Sequence, residues 1–197
     1  MKRQSTDVRQ EQIKQAVIDI LSTDGLKNLS IRNLAGHLGM SEGNIFRHFK
    51  TKKDIILSIF TDIQENFISE LKEIAWSDEA PSIRLFKYLS VTVKYHVDNK
   101  GANMLLFSEA SYNNDLELKN RLQQIFHDQK QYVSKIIRDG VSDGIWDKSV
   151  VVENVALMYM GIPVAMNMEM LLGGRTFQFD NFCNNMTQLL VKMLKTP

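Results

Sequence analysis

Residues 29–54 decide the fold and read LSIRNLAGHLGMSEGNIFRHFKTKKD. The stretch contains two short helical segments, and each follows a residue that caps helices well, Ser30 or Ser41. Gly39 allows a tight turn between them, because glycine adopts the backbone conformations that such a turn requires. Ala35 is small enough to let the two helices pack closely. These features predict a helix-turn-helix, whose second helix presents polar side chains outward.

A longer helix is predicted directly after this pair. Thr51 and Asp54 have the spacing of a capping box, in which each side chain accepts a hydrogen bond from the other residue's backbone N–H. Apolar residues then recur at helical spacing as far as Leu71, so we expect one continuous helix. Its apolar positions are Ile55, Ile56, Ile59, Ile63, Phe67 and Leu71.

The rest of the chain also has helical periodicity. Upstream, apolar residues from 13 to 21 predict a first helix that ends at Gly25. Downstream, the pattern predicts helices over 83–97, 102–112, 116–138, 150–172 and 177–194. Asp139-Gly140 and Asp143-Gly144 interrupt it, so we expect a bend ahead of Trp146. Since no alternating strand pattern appears, the sequence predicts an all-α fold of about nine helices.

Charge is distributed unevenly along a chain whose net charge is only +1. Residues 1–53 contain ten Lys/Arg and five Asp/Glu, a net of +5, whereas residues 54–197 contain 14 and 18, a net of −4. A basic head on an acidic body is expected if only the head approaches a polyanion. Chance asymmetry is the alternative interpretation.

Composition and motifs favour some protein classes over others. The longest uncharged run, residues 154–168, is too short to span a bilayer, and the first residues lack the apolar core of a secretion signal. The single cysteine, Cys183, is a buried thiol or a redox sensor, and it cannot form an internal disulfide. We therefore expect a cytoplasmic protein without membrane contact. Because zinc-protease, Cys-x-x-Cys and phosphate-loop motifs are absent, we expect no enzyme activity, no cofactor and no metal.

Residues 29–54 closely resemble the signature of the TetR/AcrR family of transcriptional regulators. The family typically shows a capped helix with Ala, then Gly, then Ser-x-Gly-x-(Leu/Ile)-(Tyr/Phe)-x-His-Phe, and then Lys with Asp or Glu. Here the corresponding segments are SEGNIFRHF at 41–49 and KKD at 52–54. The resemblance extends over about residues 8–68. It implies a DNA-binding head at residues 1–53, a helix from 52 that links it to the body, and an effector-binding and dimerisation body at residues 54–197.

Members of this family are two-fold dimers that bind near-palindromic double-stranded operators, usually block transcription, and release DNA when a ligand binds the body. By position, Arg32 is a candidate for a bidentate contact to guanine, with a phosphate or solvent role as the alternative. Glu42 is placed to accept from cytosine, and Asn44 to pair with adenine. Phe46 departs from the frequent Tyr and lacks its phosphate-binding hydroxyl. The predicted DNA-binding residues are Ser30, Ile31, Arg32, Ser41, Glu42, Gly43, Asn44, Phe46, Arg47, His48 and Lys52.

Cationic side chains cluster at the end of this signature. Lys52 and Lys53 lie in the first turn of the long helix, where the helix dipole disfavours each cation by roughly 0.3–1 kcal/mol. Their position predicts an anionic partner, and we expect DNA phosphate, with a solvated charged turn as the alternative. His48 is expected at phosphate too, and a phosphate would favour its charged form.

The last two predicted helices are expected to form the dimer interface. The helix over 150–172 is apolar on several faces and must be covered on all sides, by a second chain or by a thick intramolecular core. The predicted interface residues are Val155, Leu157, Val164, Met168, Leu172, Phe182, Met186 and Leu190.

A cavity for a small hydrophobic effector is expected among the preceding helices. Ten methionines fit an adaptable apolar wall, although simple core packing is the alternative for each residue. The predicted wall residues are Met104, Phe107, Tyr112, Phe126, Tyr132, Met158 and Met166. The sequence therefore predicts a sequence-specific DNA-binding transcriptional regulator, a repressor released by a lipophilic ligand. One alternative is a DNA-binding or nucleoid-type protein that responds to a protein partner, and another is a helical hydrolase or carrier.

Overall fold

A computed structural model describes residues 6–112, 115–172 and 179–195, apart from the side chains of residues 112, 179 and 180. Within these ranges the regular structure is entirely helical, with nine helices and a short 3₁₀ turn at Leu26–Asn28. This confirms the predicted all-α fold. None of the described helices has the length and apolar character needed to cross a membrane. The helices are α1 (Thr6–Thr23), α2 (Ile31–His37), α3 (Glu42–Phe46), α4, α5 (Pro81–Asp98), α6 (Ala102–Tyr112), α7 (Leu116–Ser142), α8 (Val152–Leu171) and α9 (Phe179–Leu194).

Helix α4 consists of three consecutive segments, the α-helical Lys52–Asp62, the π-helical Ile63–Ile68 and the α-helical Ser69–Trp76. It begins at the predicted capping box, which is confirmed. Thr51 Oγ1 accepts from the Asp54 backbone N–H at 3.1 Å, and Asp54 Oδ2 accepts from the Thr51 N–H at 2.9 Å. These bonds satisfy two of the N–H groups that every helix start leaves without an internal partner.

The chain divides into two compact units. The first contains residues up to 63 together with residues 101–123, and the second contains residues 64–100 together with those from 124 onward. The first unit thus adds α6 to the helix-turn-helix head. Its core is built by the apolar faces of α1 and α4 and by single residues of α2 and α3. The fully or nearly fully buried side chains include Ile13, Val17, Leu21, Leu34, Ile45, Ile55 and Ile59.

A pair of buried tyrosines and a buried arginine organise the second unit. The Tyr88 and Tyr159 rings meet edge to face at 6.0 Å, and the Tyr159 hydroxyl donates to the backbone carbonyl of Leu85, joining α5 to α8. Arg84, which is 5% exposed, donates to Asp139 Oδ2 at 2.7 Å and to the Ala75 carbonyl at 2.8 Å. Helix α5 packs most extensively against α9.

The predicted bend ahead of Trp146 is present at Asp143-Gly144, but the predicted helix end at residue 138 is wrong, because α7 continues through Gly140 to Ser142. The helix stops where Gly144 adopts φ +70° and where Ile145 N–H bonds back to the Gly140 carbonyl at 2.9 Å. Gly140 is required for a different reason. A Cβ at this position would lie 2.2 Å from Trp146 Cε3, so only glycine lets the indole ring rest on the helix. The predicted helix boundary near 173–178 lies outside the described residues.

Candidate nucleic-acid interface

Helices α2 and α3 are fixed to the head by their apolar faces. Leu34 and Ile45 are fully buried, and Phe49, just beyond α3, is 7% exposed. Helix α1 supports the end of this motif, since Gln10 Nε2 donates to the His48 carbonyl at 3.2 Å. The caps are the predicted ones: Ser30 Oγ accepts from Asn33 N–H at 3.2 Å, and Ser41 Oγ from Asn44 N–H at 3.3 Å. With the inner faces fixed, the outer faces are presented together.

Most of the predicted DNA contacts do lie on that outer surface. Arg32, Ser41, Glu42, Gly43, Phe46 and Arg47 are exposed, whereas Ser30, Ile31, Asn44, His48 and Lys52 are partly buried. The exposed set combines a donor, an acceptor and a large apolar ring, which are the groups that distinguish base edges in a major groove. The arrangement therefore suits a helix that enters a groove.

Asn44 is held by its neighbour on α3. The Arg47 guanidinium Nη2 donates to Asn44 Oδ1 at 2.8 Å. This bond occupies part of the carbonyl oxygen that a bidentate contact to adenine needs, and it orients the amide NH₂ of Asn44 away from Arg47. The pair makes Arg47 a positioning residue for Asn44 in the free protein.

Two residues of α3 have no evident structural reason for their identity. Apart from the chain neighbours of Gly43 and the backbone of its own helix, no described atom lies within 4 Å of the position that a Cβ would take, so the fold itself does not require glycine there. Phe46 exposes 45% of its surface, although an exposed phenyl ring is unfavourable in water. An open backbone and an exposed ring next to each other are expected of a surface that meets a partner.

His48 behaves differently from a solvated phosphate contact. Both ring nitrogens are buried without a hydrogen-bond partner among the described residues. Burial, followed by the positive charges of Arg47 and Arg9, lowers the pKa of His48 below its ordinary value of 6.5. His48 is therefore neutral in the free protein at pH 7, and any charging requires an anion to approach.

Carboxylates of the same chain form ion pairs with the two lysines at the start of α4. Lys52 Nζ lies 2.8 Å from Glu109 Oε1 on α6, and Lys53 Nζ lies 2.8 Å from both Asp115 Oδ2 and Glu117 Oε2 at the start of α7. The hydrogen bond from Lys53 holds the pKa of Asp115 below its ordinary range. In the free protein, the anions beside the two lysines are therefore carboxylates of the same chain. Sequence reasoning missed them because they lie more than 50 residues away along the chain.

Exposed apolar side chains lie on both α8 and α9. Leu157, Met158, Val164 and Met168 on α8, and Leu172 at its C-terminal cap, are 44–79% exposed. On α9, Leu189 and Met193 are 57% and 59% exposed. We call these seven residues the apolar face. It includes four of the predicted dimer residues, while Val155, Phe182 and Met186 are partly buried at its side.

Three of the individual residue predictions need correction. Leu190 is only 3% exposed, so it packs inside its own chain and is not available to a partner. Met158, predicted as a cavity wall, belongs instead to the apolar face, and Phe126 is 48% exposed and cannot line an enclosed cavity. Of the other predicted wall residues, Tyr132 and Met166 are buried, Met104 and Phe107 are partly buried, and the Tyr112 side chain lies outside the described residues.

Comparison with known proteins identifies the head. The model of the family "Bacterial regulatory proteins, tetR family" matches residues 15–59, which extend from α1 into α4. Over 138 residues the chain is 23% identical to the fatty acid metabolism regulator protein of Bacillus subtilis (strain 168), covering 68% of each protein. Over 131 residues it is 25% identical to the nucleoid occlusion factor SlmA of Shewanella loihica, covering 66% of each.

Structural comparison extends the similarity to nearly the whole chain. The transcriptional regulator FadR of Bacillus subtilis, solved in complex with stearoyl-CoA, superposes with a TM-score of 0.75 and 20% identity over 92% of this chain and 97% of that chain. The helix-turn-helix geometry, its outward polar face and the family match agree. Residues 15–59 thus match the head of the tetR family of bacterial regulatory proteins, and the protein is a DNA-binding transcriptional regulator.

Proposed function

We propose that this protein is a dimeric repressor that binds a near-palindromic operator through α2 and α3 and leaves it when a hydrophobic effector enters the body. The outer face of α3 carries the proposal most directly. There an open glycine and an exposed phenyl ring lie beside Glu42 and the Asn44–Arg47 pair. A regulator of this kind acts where the chromosome lies, which is the cytoplasm of a bacterium, and its role is binding rather than catalysis.

A long-chain acyl compound is the effector class that we propose. One similar regulator was solved with stearoyl-CoA, and the name of one relative associates it with fatty acid metabolism. In this chain, Asn103 on α6 is completely buried, and neither atom of its amide has a hydrogen-bond partner among the described residues. An unsatisfied buried amide costs about 1–3 kcal/mol, so Asn103 is suited to receive a polar group of a ligand.

The first experiment tests operator binding and the role of Arg32. Fluorescence anisotropy with the duplex from just upstream of the gene should give nanomolar affinity, well above that for a scrambled duplex. Replacing Arg32 by alanine should weaken operator binding about 5- to 150-fold if the guanidinium reads a guanine. A base contact leaves binding to the scrambled duplex unchanged, whereas a phosphate contact weakens both.

Stearoyl-CoA should then displace the operator, with coenzyme A as the control that lacks the acyl chain. Equal weak binding to both duplexes, at about 10⁻⁴–10⁻⁶ M, would contradict sequence-specific binding at this site. Displacement by coenzyme A alone would contradict recognition of an acyl chain.

DNA affinity is expected to depend on the protonation of His48. Its pKa is lowered in the free protein, and a phosphate next to the ring would raise it in the complex. Binding then takes up a proton, so affinity should increase as pH falls from 8 to 6, by at most tenfold per pH unit. Anisotropy titrations at pH 6, 7 and 8 at constant ionic strength would show this, and His48→Gln should remove it. An identical pH dependence in both proteins would show that His48 only packs.

A nucleoid-type protein without a small ligand is the second candidate, because the chain is also similar to SlmA. Its body would then bind a protein partner, and acyl compounds would leave the DNA complex intact. The displacement experiment separates the two functions directly.

A further inference from the structure

The start of α4 combines cationic side chains with the positive N-terminal end of a helix, and the two repel each other unless an anion is present. Lys52 and Lys53 lie in the first helical turn, where the free N–H groups and the helix dipole already make the surroundings positive. In this structure the anions are carboxylates of the same chain. The chemistry that recognises them, a carboxylate oxygen at 2.8 Å from an ammonium nitrogen, is the chemistry by which a phosphate oxygen would recognise them.

The two lysines are not held in the same way. Lys53 bonds Asp115, whose other oxygen, Oδ1, accepts from the backbone N–H groups of Glu117 and Leu118 at 3.0 and 3.2 Å. Asp115 is thus fixed as a cap of α7, and Lys53 is fixed with it. Glu109 lies near the C-terminal end of α6, so its ion pair with Lys52, unlike that of Asp115 with Lys53, is not part of a helix N-cap.

Lys52 keeps access to solvent while it is paired. Its side chain is 36% exposed, whereas that of Glu109 is 15% exposed. An incoming phosphate can therefore approach the ammonium group. To draw Lys52 away, it must offset the cost of leaving a largely buried carboxylate without its cation.

We infer that Glu109 is a positioning residue that competes with DNA phosphate for Lys52 and so sets the affinity of the head for DNA. This inference rests on the proposed DNA-binding function. It also connects the head to α6, because Phe107 on the same helix packs against Phe60 of α4, with ring centroids 5.9 Å apart. A shift of α6 therefore changes how firmly Lys52 is held.

The test compares Glu109→Gln with wild type on the upstream duplex and on a scrambled duplex, at 50 and 200 mM salt. Removing the carboxylate charge frees Lys52 for one more phosphate, so binding to both duplexes should tighten and the salt dependence should steepen by about 0.9 in log–log slope. The affinity ratio of variant to wild type should then grow about three- to fourfold between 200 and 50 mM salt.

Two controls separate competition from a general charge effect. Asp24→Asn removes one negative charge from an exposed position after α1 and should leave the slope unchanged. In a Lys52→Met background, Glu109→Gln should raise DNA affinity by no more than Asp24→Asn does, since the cation for which carboxylate and phosphate compete is absent. Circular dichroism at each salt concentration confirms that the variants are folded.

Two outcomes would overturn the inference. A Glu109→Gln protein that binds like Asp24→Asn would show that the carboxylate does not compete, and one that binds more weakly while folded would show that it holds Lys52 in the DNA-binding position. In both cases the proposed function survives, because wild type still binds its operator. Failure of wild type to bind any duplex would instead remove the proposed function and the inference with it.

Discussion

The double substitution Val164→Glu/Met168→Glu should make the protein monomeric and reduce its operator affinity by a factor on the order of a hundred or more. Both side chains lie in the middle of the apolar face and are 45% exposed in the single chain. Burying an apolar side chain of this size contributes about 1.5–3 kcal/mol, so covering seven of them is a strong drive to associate. A glutamate there would have to be buried without a partner, which costs several kcal/mol.

DNA binding should fall with the dimer because, in the function proposed above, each protomer holds one half-site. Linking two half-site contacts raises affinity about 10²- to 10⁴-fold over one, and this gain disappears in a monomer. Sedimentation velocity gives the mass, and anisotropy gives the affinity.

The matched control places the same two charges elsewhere. Gln123→Glu/Gln131→Glu alters two exposed positions of α7 and should leave mass and DNA binding unchanged. A Val164→Glu/Met168→Glu protein that remains dimeric would show that another surface joins the protomers.

Replacing Gly140 by alanine should lower the free energy of unfolding by roughly 2–4 kcal/mol. The added methyl group would lie 2.2–2.7 Å from three ring carbons of Trp146, which is only 3% exposed. The indole must therefore leave its site on α7, and the loss of its packing exceeds the helix-propensity gain of about 1 kcal/mol from glycine to alanine. Urea denaturation followed by circular dichroism measures the change.

Gly36→Ala is the control for this prediction. Gly36 also lies within a helix, but outside its chain neighbours and its own helix backbone no described atom is within 4 Å of the position that a Cβ would take. The same substitution should therefore be neutral or stabilising by up to about 1 kcal/mol. Equal stability of Gly140→Ala and wild type would mean that the Trp146 ring moves aside without cost.

The helix-turn-helix could be predicted because its determinants are local. Each cap joins residues three apart in the chain, and Ser30, Ser41 and Thr51 all make the bonds that their spacing predicted. Gly39, with φ +62°, provides the predicted turn. Local interactions of this kind do not depend on where the rest of the chain lies, so the family motif and the number of helices were accessible from the sequence.

Predictions that depended on the facing of side chains were less successful. Leu189 and Leu190 are neighbours of identical chemistry, yet the first is 57% exposed and the second 3% exposed. Met158 was predicted as a cavity wall and lies on the apolar face. A helix that is apolar on several sides does not indicate which side its own chain covers.

The sequence by itself thus determined the all-α fold, the DNA-binding motif and the residues on its outer face. The tertiary structure alone decided why residue 140 is glycine, since the ring of Trp146 occupies the space that a side chain would need there. It also decided that Lys52 and Lys53 meet carboxylates first, since Glu109 approaches Lys52 from 57 residues away. Caps and turns are fixed within a few residues, whereas burial and ion pairing depend on which distant segments the folded chain brings together.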